Sequence, residues 1–223
     1  MPWAGPGTGL IAWSQTLPRN PAAAGLWVGE VTINQVLHVA GGTNAPVTDT
    51  AQLRLIVHID ASGVPHLLKD VVLARKATSR ETPAEIAVVI LSDPARLPSI
   101  PGLARPNGRL MAQRIATAAF DFSGNSLALE GGIGEGFRCR GTVSLSDIHP
   151  GNPFLHRLHP EHSQGIPIDR AIELSFTVPA GNVNGVSRLA GQYDETITGL
   201  HKAPLHIRGS VVLNRISPVA VLN

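Results

Sequence analysis

The chain has 223 residues, of which 43% are hydrophobic and 15% charged, with 23 glycines and 18 prolines. Many turn formers beside few charges favour strands joined by turns over helices, and the length fits one large all-β domain or two small ones. Net charge is +2, and the densest basic cluster, Arg75, Lys76 and Arg80, is followed by Glu81 and Glu85. A nucleic-acid partner would call for a clustered basic stripe, so none is expected.

Residues 1–24 are rich in Pro, Gly and Ala, with Trp3 and Trp13 far apart, and read as an extended arm. The arm is expected to pack outside the main core, along the barrel or on another copy, because its tryptophans gain by burial. It lacks the basic n-region and apolar h-region of a signal peptide. No apolar run approaches the ~18 residues of a membrane span. "LWVGEVTINQVL" (26–37) opens the ordered pattern, with Trp27, Val31 and Ile33 on one face and Glu30, Thr32 and Asn34 on the other. That period of two predicts a half-buried strand. "GGTNAPVTD" (41–49) reads as a loop. "QLRLIVHID" (52–60), the turn "ASGVP" (61–65) and "HLLKDVVLA" (66–74) read as a hairpin with Leu53, Leu55, Val57 and Ile59 on one face.

Residues 75–85 are polar. "EIAVVILSD" (85–93) is apolar on both faces and predicts a central strand, while the four prolines of 94–108 exclude a long regular element. In 111–123 the alanines permit a helix, but Ile115, Thr117 and the Phe120/Phe122 alternation favour a strand. A glycine-rich turn lies in 127–136. Further strands are expected at 137–148, 171–178, 191–199 and 204–217. The single cysteine, Cys139, allows no intrachain disulfide and reads as a small core residue of a strand. Tyr193 and Glu195 share a strand face and predict an inward polar pair with Arg188 or Arg215.

A pattern recurs in "GEVTINQV" (29–36), "GTVSLSDI" (141–148) and "GSVVLNRI" (209–216): glycine, then apolar residues two and four places on. The intervals, 112 and 68 residues, are too irregular for a solenoid. Glycine inside a strand marks a bulge or bend. The three segments therefore predict equivalent curved strands, with Val31, Ile33, Val143, Leu145, Val211 and Leu213 inward. The expected fold is all-β: a closed or nearly closed antiparallel barrel or sandwich of about ten strands, with residues 1–24 as the arm and 25–223 as one domain.

"GLWVGEVTINQV", "LRLIVHIDASGVPHLLKDVVL", "RIATAAFDF", "NPFLHRLHPEH" and "LAGQYDETITGLHKAPLHIRGSVVLNRIS" resemble, in that order, an uncharacterised family of bacterial proteins found mostly in secreted or surface-associated multidomain sequences. The resemblance runs from about residue 25 to the C-terminus and implies a domain rather than a reaction. It also implies an extracellular or cell-surface setting, while the lack of a signal peptide keeps a cytoplasmic one open. The family's histidine loop reads like "NPFxHxYHPDHDN". Here the acid persists as Glu161, but Ser163 and Gln164 replace the Asp and Asn that follow, which weakens any ion site they completed.

That loop holds His149, His156, His159 and His162, four of the chain's nine histidines within fourteen residues. Neutral imidazoles suit Zn²⁺ or another divalent transition metal, and carboxylates complete such shells. Asp147, Glu161 and Asp169 lie close in sequence. Pro160 keeps the three downstream histidines off one helix face, and the spacing matches no strong zinc signature. The plainer reading is a structural loop anchored by Asn152, Pro153 and Phe154. The leading functional reading is thus a non-catalytic binding or structural module that associates with itself or with neighbouring protein domains. A metal-dependent, hydrolase-like enzyme centred on the histidine loop is the alternative, and a lipocalin-like carrier the third. The sequence leaves enzymatic activity open.

Overall fold

A computed structural model describes residues 16–38, 45–79, 87–117, 119–120, 122, 124–150, 152, 154–155, 164–176, 185–200 and 203–223. The strands are β1 (Gly25–His38), β2 (Ala45–Ile59), β3 (Pro65–Leu68), β4 (Asp70–Arg75), β5 (Val88–Leu91), β6 (Ala112–Ala116), β7 (Ser126–Ala128), β8 (Glu130–Gly131), β9 (Arg138–Leu145), β10 (Ile168–Ser175), β11 (Arg188–Thr198) and β12 (Leu205–Ser217). Nine form one antiparallel sheet in the order β7-β3-β2-β1-β12-β11-β10-β9-β8, and three form a second in the order β5-β4-β6. The first and last strands of the large sheet, β7 and β8, are separated along the chain by Leu129 alone. One bent stretch therefore pairs with β3 on one side and β9 on the other. The sheet is drawn into a nearly closed barrel, the all-β fold that the alternation predicts.

Period-two alternation sets the interior. Val31, Ile33, Val143, Leu145, Val211 and Leu213 are all buried in one cluster with Leu55, Val57 and Ile59. Cys139 joins them, fully buried, and burial pushes its thiol pKa well up, so it behaves as a small core residue. Gly29 and Gly209 lie at the β1–β12 seam, where a Cβ on either would strike the facing strand's backbone. At these two sites the recurring glycine serves close strand approach.

The described end of the arm, residues 16–24, seats on the glycine-rich segment. Asn20 Nδ2 donates to Ile133 O at 2.8 Å, and a Cβ at Gly131 would collide with Leu17. Ala23 enters the interior cluster, and its carbonyl accepts from Trp27 Nε1 at 2.8 Å. The expectation that everything before Trp27 packs outside the core is corrected at this residue. Trp3 and Trp13 lie outside the described residues.

The second sheet departs most from the sequence reading. The chain leaves the barrel after Leu68, and Asn125 clamps the crossing: its side chain accepts from Asp70 N and donates to Asp70 O. The 66–74 return is therefore two strands in two sheets, not one arm of a hairpin. Leu67 faces the barrel interior, whereas Leu68 and Val71 enter a second cluster with Leu26 and Ile56 on the barrel's outer wall. The predicted central strand at 85–93 is instead β5, at the edge of the small sheet. It is apolar on both faces because Ile90 packs on the barrel wall while Val89 and Leu91 pack under Leu97, Ile100 and Leu103. The proline-rich 94–108 forms two short 3-10 turns, Pro94–Ser99 and Pro106–Gly108. The expected strand through 123 stops at Ala116, and Phe120 and Phe122 drop into the barrel as plugs. Residues 45–49, read as loop, extend β2 and pair at Ala45 and Pro46 with Val36 and Gln35.

Candidate functional site

Asn152 organises the described part of the histidine loop. The residue is 1% exposed. Nδ2 donates to Ser146 O at 2.9 Å and to Ile166 O at 2.7 Å, and Oδ1 accepts from Phe154 N at 2.8 Å. A single amide thus ties together the two ends of the excursion that leaves β9 and returns to β10. Phe154 packs against the barrel core. The anchoring roles expected of Asn152 and Phe154 are therefore in place, while Pro153 lies outside the described residues. Asp147 and His149 sit half-buried on the outgoing turn, where His149 N donates to Ser146 O at 3.1 Å. Asp169, on β10, instead accepts from Ser144 Oγ at 2.5 Å. His156, His159, Glu161 and His162 lie outside the described residues. Among the described residues no three His, Cys, Asp or Glu side chains are grouped so as to hold a metal ion.

Inside the barrel, Tyr193 and Glu195 form the expected inward pair, with Tyr193 Oη donating to Glu195 Oε2 at 2.7 Å. Their cationic partner is Arg170, not Arg188 or Arg215. Arg170 Nε donates to Glu195 Oε1 at 2.5 Å, and its Nη1 donates to Ala119 O at 3.0 Å. The guanidinium also lies 5.4 Å from the centre of the Phe120 ring. Burial disfavours the Arg170 charge, but Glu195 outweighs it and raises its pKa. Burial, then the Glu195 charge, raises Tyr193 well above its ordinary value. The triad is thus an ion pair and a neutral phenol, closed on one another and sealed by Phe120. Ile168, Arg170, Ile172 and Leu174 all face inward on β10; starting the strand at 171 hid Arg170 from the sequence reading. Arg215 has a different place, over the Trp27 ring with its guanidinium bonded to Ala24 O.

A surface concavity lies where the small sheet overhangs the barrel wall. Two adjoining depressions, about 520 and 480 Å³, share Val28, Gln113, Ile115 and Ile216. Their floor is the outer face of β1 and β12, and their roof is β6. Met111 and Ile216 at the rim are 44% and 43% exposed. Arg54 and Arg75 are exposed beside it, while Arg114 is held by Asp70 through Nε at 2.7 Å. Glu30 is the one acid among the described lining residues. The sequence reading missed this groove, since the outward residues of β1, β6 and β12 come together only when the second sheet folds over the first. No protein-family model matches this chain, and no curated protein matches it either.

Proposed function

We propose that this chain is a non-catalytic binding and structural module that works through its outer surface. The observation that carries this reading is the packed interior. Trp27, Phe120, Phe122, Phe176 and Tyr193 occupy the space a carrier would leave for its ligand, and the polar triad is satisfied internally. A lipophilic probe such as anilinonaphthalene sulfonate is expected to show no saturable site on the native protein. Stoichiometric binding displaced by a long-chain fatty acid would overturn the module in favour of the carrier.

A second reading, a metal-dependent centre on the 149–162 loop, is favoured by the Asn152 tie across the loop's neck, which reduces the entropy of bringing donors together. It is tested on untagged protein. If the loop holds an ion, Zn²⁺, Ni²⁺ or Cu²⁺ raises the melting temperature by mass action, His159→Ala removes the effect, and affinity falls below about pH 6 as imidazoles protonate. An unchanged melting temperature with metal and with chelator removes this reading.

A further inference from the structure

The open edge of β6 carries an inference that rests on the module reading and names its partner. We propose that β6 accepts an extended, acidic-ended peptide segment of a partner protein as a fourth strand of the small sheet, laid over the groove on the barrel wall.

Strand geometry shows which groups are free. Thr117 N donates to Lys69 O, and Arg75 N donates to Met111 O, both at 2.9 Å. The Met111 carbonyl and the Thr117 N–H therefore turn towards the β4 side. Successive residues of an extended strand turn their peptide groups to opposite sides, so Ala112, Arg114 and Ala116 direct N–H and C=O to the edge away from β4. Among the described residues no strand pairs with that edge. A row of alternating donors and acceptors is a template for another strand.

The floor extends past that edge. Ile115 packs on the outer-wall cluster with Leu26 and Ile56, and Val28 packs there too. Beyond them the wall continues through Val212 to Ile216, half-buried and exposed respectively. A strand added about 4.8 Å from β6 would bring every second side chain over this floor. Charge selects the ends of the segment. With Arg54 and Arg75 exposed at the groove, Glu30 the one acid among its described lining residues, and Asp70 already engaged by Arg114, flanking carboxylates gain and flanking ammonium groups lose.

The probe is the synthetic peptide DTVTVTVD, which alternates apolar and polar residues between acids, with KTVTVTVK and the pattern-broken DVVVTTTD as controls. The expected result is saturable binding of the first peptide, at least about tenfold weaker for either control, with slowed amide exchange at Ala112, Arg114 and Ala116. Ala112→Pro and Ala116→Pro remove only edge-directed N–H groups, and Ile216→Lys charges the floor. Each is expected to weaken binding by about tenfold or more while leaving the melting temperature near that of the parent. Equal binding of all three peptides, protection elsewhere, or no saturable binding overturns the proposal. So does an edge-to-edge dimer dissolved by the proline variants, which would make a second copy the occupant. Binding that appears only after removal of residues 1–15 overturns it too, in favour of the chain's own arm. Failure of these peptide tests leaves the packed-interior module standing, because that reading is judged separately by the lipophilic probe.

Discussion

The two sheets solve the same problem differently. The nine-stranded sheet removes its edges by joining them through Leu129, whose N–H also reaches Pro65 O at 2.8 Å. The three-stranded sheet cannot close. Its β5 edge is covered by the C-terminal tail, with Asn223 N donating to Ile90 O and Ser92 N donating to Asn223 O, both at 2.9 Å. Its β6 edge has no such cover among the described residues. Closure makes the barrel's interior a place for stability, whereas the small sheet's open side leaves a row of backbone donors and acceptors unpaired by any described strand.

The sharpest way to break the closed half is from within. Arg170→Ala leaves the Glu195 carboxylate buried without its cation and is expected to cost about 3–5 kcal/mol in urea unfolding. The double variant Arg170→Met, Glu195→Leu should lose less than Arg170→Ala alone, because no unpaired charge remains. A larger loss in the double variant would show that packing around the pair, rather than charge, dominates.

The seam comes next. Leu129 is 5% exposed and packs against Gly141, so Leu129→Ala is expected to cost roughly 2–5 kcal/mol. Amide exchange should quicken along β8 and β9 before it does along β1 and β12. Uniform acceleration would mean that the seam opens only with the whole barrel.

For the small sheet, deletion of residues 219–223 strips the β5 edge. The expected cost is about 1–3 kcal/mol, with faster exchange at Ser92. No change in exchange at Ser92 would show that the tail does not guard this edge.

The smallest effect is a dependence on pH that the same deletion should blunt. His58 is fully buried on β2, its Nε2 lies 3.1 Å from Val219 O, and its Nδ1 has no partner among the described residues. Burial lowers its pKa from the ordinary 6.5, against the pull of the Val219 carbonyl; nearby His66 lowers it further and Asp60 raises it. Below 6.5 the unfolded chain takes a proton that the folded one resists, so stability falls as pH drops from 6.5 towards the folded value and then levels. Removing 219–223 should hydrate His58 and flatten this slope in denaturation measured across pH. A second loss belongs to Asp60. Burial works against its charge, but hydrogen bonds from Ser62, Val64 and His66 outweigh it and lower its pKa to about 2. Its contribution, present above the ordinary 3.8, is lost as pH falls from there towards 2.

Much of the barrel was legible because one buried face imposes period two on the chain. The six inward residues after the recurring glycines, Cys139 and the Tyr193–Glu195 pair all follow from that rule. The second sheet was not legible, since "LLKDVVLA" alternates whether its halves lie in one sheet or two. The adjacent buried pairs Leu67/Leu68 and Val71/Val72 were the available hint, because a strand wetted on one face does not bury neighbours. Arg170 was missed by a strand boundary set three residues late. Of the candidate ion site, the neck at Asn152 was legible from its loop chemistry, and the groove under β6 was not, because no local period records which outward faces meet.

The pairing of β1 with β12 has a consequence in time. These strands share their whole length, from Leu26 opposite Ser217 to His38 opposite Leu205, yet they stand near opposite ends of the chain. Loop-closure entropy must be met before that contact stabilises anything, which predicts slow, high-contact-order folding. A ribosome releasing this chain exposes the β12-facing edge of β1 until β12 itself emerges, after all the strands between them. During synthesis the apolar face of that strand and its unpaired edge stay exposed to misfolding and aggregation.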